Sequence, residues 1–188
     1  MAIKTFTTGE VLTASDTNTY LANAGLVYIT GTSVGTGTTL IMSNVFSATY
    51  NAYRFVFDSI KVASSTIFIT SQLRAGSTTN TAGYYDSRLE VTTAGAVTGG
   101  AGVNASNWTT TIVGDATFAS GAIVDLYNPF NTVQTSYNSQ GVDPRTTGSP
   151  YRAGGGWHNS STSFDSIVFT ASTNFSTGNV RVYGYRIA

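Results

Sequence analysis

Apolar side chains recur at every second position along this chain, in short runs separated by clusters of Gly, Ser, Thr and Asn. That spacing predicts strands joined by turns. In the run at 53–62, Tyr53, Phe55 and Phe57 fall on one face, while Arg54 and Asp58 share the other with Val56, as in a half-buried strand. In the run at 179–187, Arg181, Tyr183, Tyr185 and Ile187 oppose Val180, Val182 and Arg186. Both faces then carry apolar area, so this strand is expected to be central or covered by a neighbouring subunit. Further strands are predicted near 26–30, 38–46, 66–74, 83–92, 107–113, 121–127, 132–139 and 163–170. Short strands of this number and spacing fit an all-β, jelly-roll-like antiparallel β-sandwich.

Two stretches break the pattern: 93–106 (TAGAVTGGAGVNAS) and 141–162 (GVDPRTTGSPYRAGGGWHNSST). Both are Gly-rich or Pro-containing and too long for tight turns, so they are expected to be exposed loops, where recognition tends to reside. The one helical signal lies at 13–24. There Thr13 and Asp16 have capping-box spacing, Gly25 supplies a stop, and Thr17, Tyr20, Leu21 and Ala24 form a stripe. A helix this short is marginal alone, so it must dock on its own domain or on a partner. The expected organisation is an N-terminal anchoring arm with a short helix at 1–25 and a β-sandwich domain at 26–188.

Composition sharpens this picture. A chain of 188 residues can bury a substantial core as one domain. Charged residues make up only 10%, against about 25% in ordinary globular proteins. Nine Lys plus Arg balance nine Asp plus Glu, with no basic cluster to neutralise phosphates, so nucleic-acid binding is not expected. The absence of Cys removes disulfides, thiolate metal sites and thiol nucleophiles together. No apolar run approaches membrane-spanning length, and the opening MAIKTFTTGEV lacks a signal-peptide pattern. Neither membrane insertion nor export by the usual route is expected.

Candidate chemistry is sparse. GTSVG at 31–35 matches a nucleophile elbow with Ser33 at its centre, but strand-like TGTTLIMSNVF follows instead of a helix, so the match is read as chance. His158 is the only histidine; a general base needs an oriented partner, and one His does not make the usual zinc site. The carboxylates Asp86, Glu90, Asp115 and Asp125 are candidates for a glycosidase pair. Asp86, Arg88 and Glu90 would, however, share one strand face, and charge pairing along an exposed face is the simpler account. No catalytic residue, metal or cofactor is therefore expected. What remains is an aromatic display of Tyr84, Tyr85, Trp108, Tyr151, Trp157 and His158. It is read either as a saccharide-binding tip, with rings stacking on sugars, or as packing within the domain or between subunits.

The segment FTTGEVLTASDTNTYLANAGLVYI (Phe6–Ile29) resembles an opening segment of tailed-bacteriophage tail-fibre and other virion proteins, of the form F-x-x-G-E-V-L-T-A-x-D-x-N-x-Y-L. FSATYNAYRFVFD, TAGYY, DLYNPF and the ending VRVYGYRIA resemble small proteins of marine and freshwater phages, cyanophages among them. The resemblance implies a jelly-roll or related sandwich subunit, often trimeric, on the exterior of a phage particle and made in the bacterial host cytoplasm. It implies attachment to other virion proteins through Gly9, Leu12, Asp16, Asn18, Tyr20 and Leu21. A tail-fibre or receptor-binding subunit touching host surface glycan is the leading expectation. A capsid decoration or cement protein is the second, and a polysaccharide depolymerase or esterase the third.

Overall fold

The computed structural model describes residues 7–11, 13–16, 25–64, 67–145 and 150–186. Among them, thirteen strands run in chain order: β1 (Leu26–Ser33), β2 (Thr39–Met42), β3 (Tyr50–Val62), β4 (Ile67–Ala75), β5 (Thr78–Thr79), β6 (Tyr84–Val91), β7 (Val97–Ala105), β8 (Trp108–Gly114), β9 (Ser120–Tyr127), β10 (Ser136–Gly141), β11 (Tyr151–His158), β12 (Ser166–Thr170) and β13 (Phe175–Arg186). Eight of them form one antiparallel sheet in the order β1-β13-β3-β9-β10-β11-β6-β7. The second sheet runs β2-β12-β4, with β5 and β8 sharing the far edge of β4. The chain is all-β, and the strand patterns read from the sequence hold for β3 and β13. Tyr53, Phe55 and Phe57 are buried while Arg54, Val56 and Asp58 are half-buried, and β13 lies between β1 and β3.

Rings from the two sheets meet in one core. Phe169 of β12 makes edge contacts with Phe55 and Phe57 of β3 at 5.5 and 4.8 Å, and Trp108 of β8 packs on Tyr137 of β10 at 4.7 Å. Buried tyrosine hydroxyls and the buried indole nitrogen find backbone partners, as burial demands. Tyr53 Oη accepts from the Ser47 amide at 2.7 Å, Tyr84 Oη accepts from the Leu73 amide at 2.8 Å, and Trp108 Nε1 donates to Trp157 O at 3.2 Å.

Two predicted loops are strands instead. Most of 93–106 forms β7, at one edge of the large sheet, and Tyr151–His158 of the 141–162 stretch forms β11, inside it. Their glycines serve close packing in a pleated layer. A Cβ at Gly156 would collide with the Tyr85 carbonyl of β6, and one at Gly141 with the Thr111 carbonyl of β8. Gly154 likewise faces Ser87 O and Thr111 Cγ2, both 3.2 Å from an ideal Cβ. Bare backbone at these positions lets β8 press against the inner face of the large sheet.

Of the predicted arm, Gly9 sits in a turn with φ +90° and Asp16 closes a single helical turn, α1 (Ala14–Asp16). Leu12, Asn18, Tyr20 and Leu21, with most of the helix predicted at 13–24, lie outside the described residues.

Candidate functional site

Strand alternation divides the aromatic display between the two faces of the large sheet. Tyr84, Trp108 and His158 point inward and are 0–1% exposed, so they are corrected from binding residues to core. Their neighbours Tyr85 and Trp157 point outward from paired positions of β6 and β11. The two rings stack with an interplanar angle of 2° and centroids 5.1 Å apart. Trp157 remains 47% exposed, and Tyr151, on the same outer face of β11, 45%. Sequence reading found these rings but gave His158 the same role, because treating 141–162 as a loop discards the period of two, and gave it to Tyr84 and Trp108 because their predicted strands do not by themselves say which face is inner.

Beside the stacked rings runs a row of cross-strand partners: Ser87 of β6, Gly155 of β11, Asn138 of β10, Asp125 of β9 and Arg54 of β3. Small side chains at Ser87, Ala153 and Gly155 leave a depression of about 440 Å³, which Asn138 also lines. A second depression, of about 90 Å³, lies between Arg54, Ile123, Asp125, Asn138 and Gln140. Arg54 grips Asp125 in a fork, Nε to Oδ1 at 2.8 Å and Nη2 to Oδ2 at 2.7 Å, and its guanidinium lies 5.5 Å from the Tyr185 ring centre. The Asp125 hydrogen bonds hold the Arg54 pKa above its ordinary value, although partial burial opposes them. Sequence reading missed Arg54, Asn138 and Gln140 as site residues, because register across strands far apart in the chain is not encoded in any local spacing.

Apart from Asp125, the residues considered for catalysis are engaged elsewhere. Ser33 Oγ donates to Asn179 Oδ1 at 3.0 Å on the exposed end of β1, with no strand-to-helix turn. Asp86 Oδ2 accepts from the Thr109 amide, and Asp115 Oδ1 caps the amides of Thr117 and Phe118. Glu90 lies 3.2 Å from the guanidinium of Arg152, and Arg88 and Arg152 stand over Phe68 at 4.8 and 4.6 Å. Asp86, Arg88 and Glu90 do share a face, but it is the inner one and not an exposed one: Asp86 is buried, and charge pairing there is internal. The His158 ring accepts from the Ser160 amide at Nδ1 and contacts Ala82 O through Nε2, with burial pushing its pKa down.

Among the described residues, no group of three or more His, Asp or Glu side chains is placed to hold a metal ion, and no helix is long and apolar enough to cross a membrane. The outer face therefore offers stacking surface, amides and a paired charge, a chemistry suited to holding a ligand by its shape and hydroxyls. No protein-family model, curated protein or solved structure gives a significant match to this chain.

Proposed function

We propose that this chain is a surface subunit of a tailed-bacteriophage particle, of tail-fibre or receptor-binding type. It is held by its N-terminal segment and turns the outer face of the large sheet toward host surface saccharide. The observation that carries the saccharide reading is the stacked, solvent-facing pair of Tyr85 and Trp157 beside a floor of small residues. An aromatic face accepts the C–H face of a sugar ring, and neighbouring amides bond its hydroxyls. Placement on a phage rests on the likeness of the N-terminal segment. Repetition on a particle would turn individually weak contacts into firm attachment.

The jelly-roll assignment belongs to the same proposal, and the strand order supports it. With β5, β6, β7, β10 and β11 set aside, eight strands remain. In their own chain order they stand first-eighth-third-sixth in one sheet and second-seventh-fourth-fifth in the other. Two intertwined Greek keys have this order. Of the strands set aside, β6, β7, β10 and β11 widen the large sheet, and β6 and β11 carry the stacked rings.

One observation favours a capsid decoration role as a second reading. Edge strand β7 carries neither charge nor proline, and its Val97 and Val103 are 63% and 78% exposed. Unprotected edges of this kind are usually covered, and neighbouring capsid subunits would cover it.

Immunogold labelling of phage particles with antibody against this chain separates the readings. Label on the tail is expected, and label on the head moves the protein to the second reading. Particles without label overturn both. On host cells, Trp157→Ala should weaken binding of the purified full chain about tenfold, equivalent to about 1.4 kcal/mol. Release of reducing ends from host polysaccharide would instead make the protein a depolymerase. Light scattering should give a trimer, and a monomer would remove that part of the proposal.

A further inference from the structure

We infer that the trough beside Tyr85 and Trp157 takes an extended, uncharged saccharide chain lying across the strands. This inference rests on the saccharide-binding reading and adds the ligand's length, direction and charge. The length follows from the sheet. The row from Ser87 through Gly155, Asn138 and Asp125 to Arg54 crosses five hydrogen-bonded strands. At about 4.8 Å per step that is about 19 Å, which is long enough for a chain and wasteful for one sugar. The two depressions along the row both border Asn138, so they lie next to each other on the row.

Direction follows from the relief. Outward-facing residues two apart on a strand lie about 7 Å apart, so the row is flanked by parallel rows on either side. One carries Tyr85 and Trp157, the other Leu89 and Gln140. Between them the floor drops to a hydroxymethyl at Ser87 and to Gly155, whose missing side chain makes room for the Asn138 amide, 2.8 Å from where a Cβ would stand. A ligand laid along the row meets the ring wall with one side, whereas a ligand laid along a strand would have to climb over the rings.

Charge follows from what already neutralises the site. The charged side chains that line the path are Arg54 and Asp125, since Arg88, although its backbone borders the first depression, turns its guanidinium to the inner face over Phe68. Arg54 and Asp125 hold each other through two hydrogen bonds, and Arg88 Nε lies 3.5 Å from Glu90 Oε1. A uronate or sialate would have to draw a guanidinium out of an existing pair. Hydroxyls need no such break, because the exposed side chains of Asn138, Gln140 and Ser87 each supply both a donor and an acceptor.

Calorimetric titration of the full chain with hexasaccharides of glucose, mannose and galactose, with the matching monosaccharides, and with oligogalacturonate and oligosialate tests the inference. At least one neutral hexasaccharide should bind, at least tenfold more tightly than its monosaccharide and than either anionic oligomer. Ser87→Leu, which fills the floor from an exposed position, and the double change Asn138→Ala with Gln140→Ala should each weaken that binding at least tenfold without moving the thermal midpoint. Equal binding of a monosaccharide, preference for an anionic oligomer, or indifference to Ser87→Leu overturns the inference while leaving a Trp157-dependent saccharide protein standing. Failure of every saccharide to bind overturns the saccharide reading itself. Binding of an extended peptide in the trough would have the same consequence.

Discussion

At His158 the hydrogen bonds fix the tautomer. A carbonyl only accepts, so Nε2, 2.9 Å from Ala82 O, carries the proton, and Nδ1 receives the Ser160 amide at 3.2 Å. The neutral ring is satisfied, whereas a second proton would face an N–H and sit among the rings of Tyr84, Trp108 and Phe164. Burial therefore depresses the pKa below its ordinary value of 6.5. The unfolded chain takes up a proton that the folded chain refuses, so this contribution to stability is complete above pH 6.5 and declines as pH falls below it. The slope is at most about 1.4 kcal/mol per pH unit. Urea unfolding between pH 5 and 8 should show this decline, and His158→Gln should abolish it, since the chain has no other histidine. Asp143 adds a second step at lower pH. Burial raises its pKa, but the hydrogen bonds from Arg145, aided by the charge of Arg152, overcome that and leave it below the ordinary 3.8. Its contribution is present above pH 3.8 and is lost as pH falls through the depressed value. Asp143→Asn should cost about 3–5 kcal/mol in urea unfolding at pH 7, because two arginines lose the carboxylate they share.

At the scale of the element, β11 shows why a glycine-rich stretch can belong inside a sheet. Gly156 abuts the backbone of β6, which cannot retreat without breaking the ladder. Gly156→Ala should therefore lower stability by about 1–3 kcal/mol, whereas Gly35→Ala, where nothing lies within 4 Å of a new Cβ, should change it little. Thermal or urea unfolding of the two variants gives the comparison. The same strand marks the limit of what could be read in advance. β3 and β13 were legible because alternating large side chains announce which face is buried. β7 and β11 were not, because their glycines resemble turn signals when seen alone; those of β7 make room for Asp86 and Arg88 of the preceding strand, and Gly154 and Gly156 of β11 for the backbone of β6, far away in the chain. Of the proposed binding surface, Tyr85, Tyr151 and Trp157 were legible as aromatic surplus. Arg54, Asp125, Asn138 and Gln140 became a site only through the register of β3, β9 and β10.

Across the whole molecule, the strands beyond the proposed jelly roll come from two separate excursions of the chain. One leaves after β4 and returns at β8, and the other leaves after β9 and returns at β12. They meet where β6 pairs with β11, and the Tyr85 and Trp157 rings stack across that seam. The proposed binding surface is thus an addition to the core, and losing its side chains should leave the core intact. Trp157→Ala should change the unfolding free energy by less than about 1 kcal/mol, while Trp108→Ala, which empties a fully buried position, should cost about 3–5 kcal/mol. These are the only two tryptophans in the chain, one sealed at 0% exposure and the other open at 47%. Their emission therefore divides into two channels. A soluble quencher reaches the indole in the trough and leaves the interior one bright, so shielding by an occupant and melting of the fold can be followed separately in one unlabelled sample.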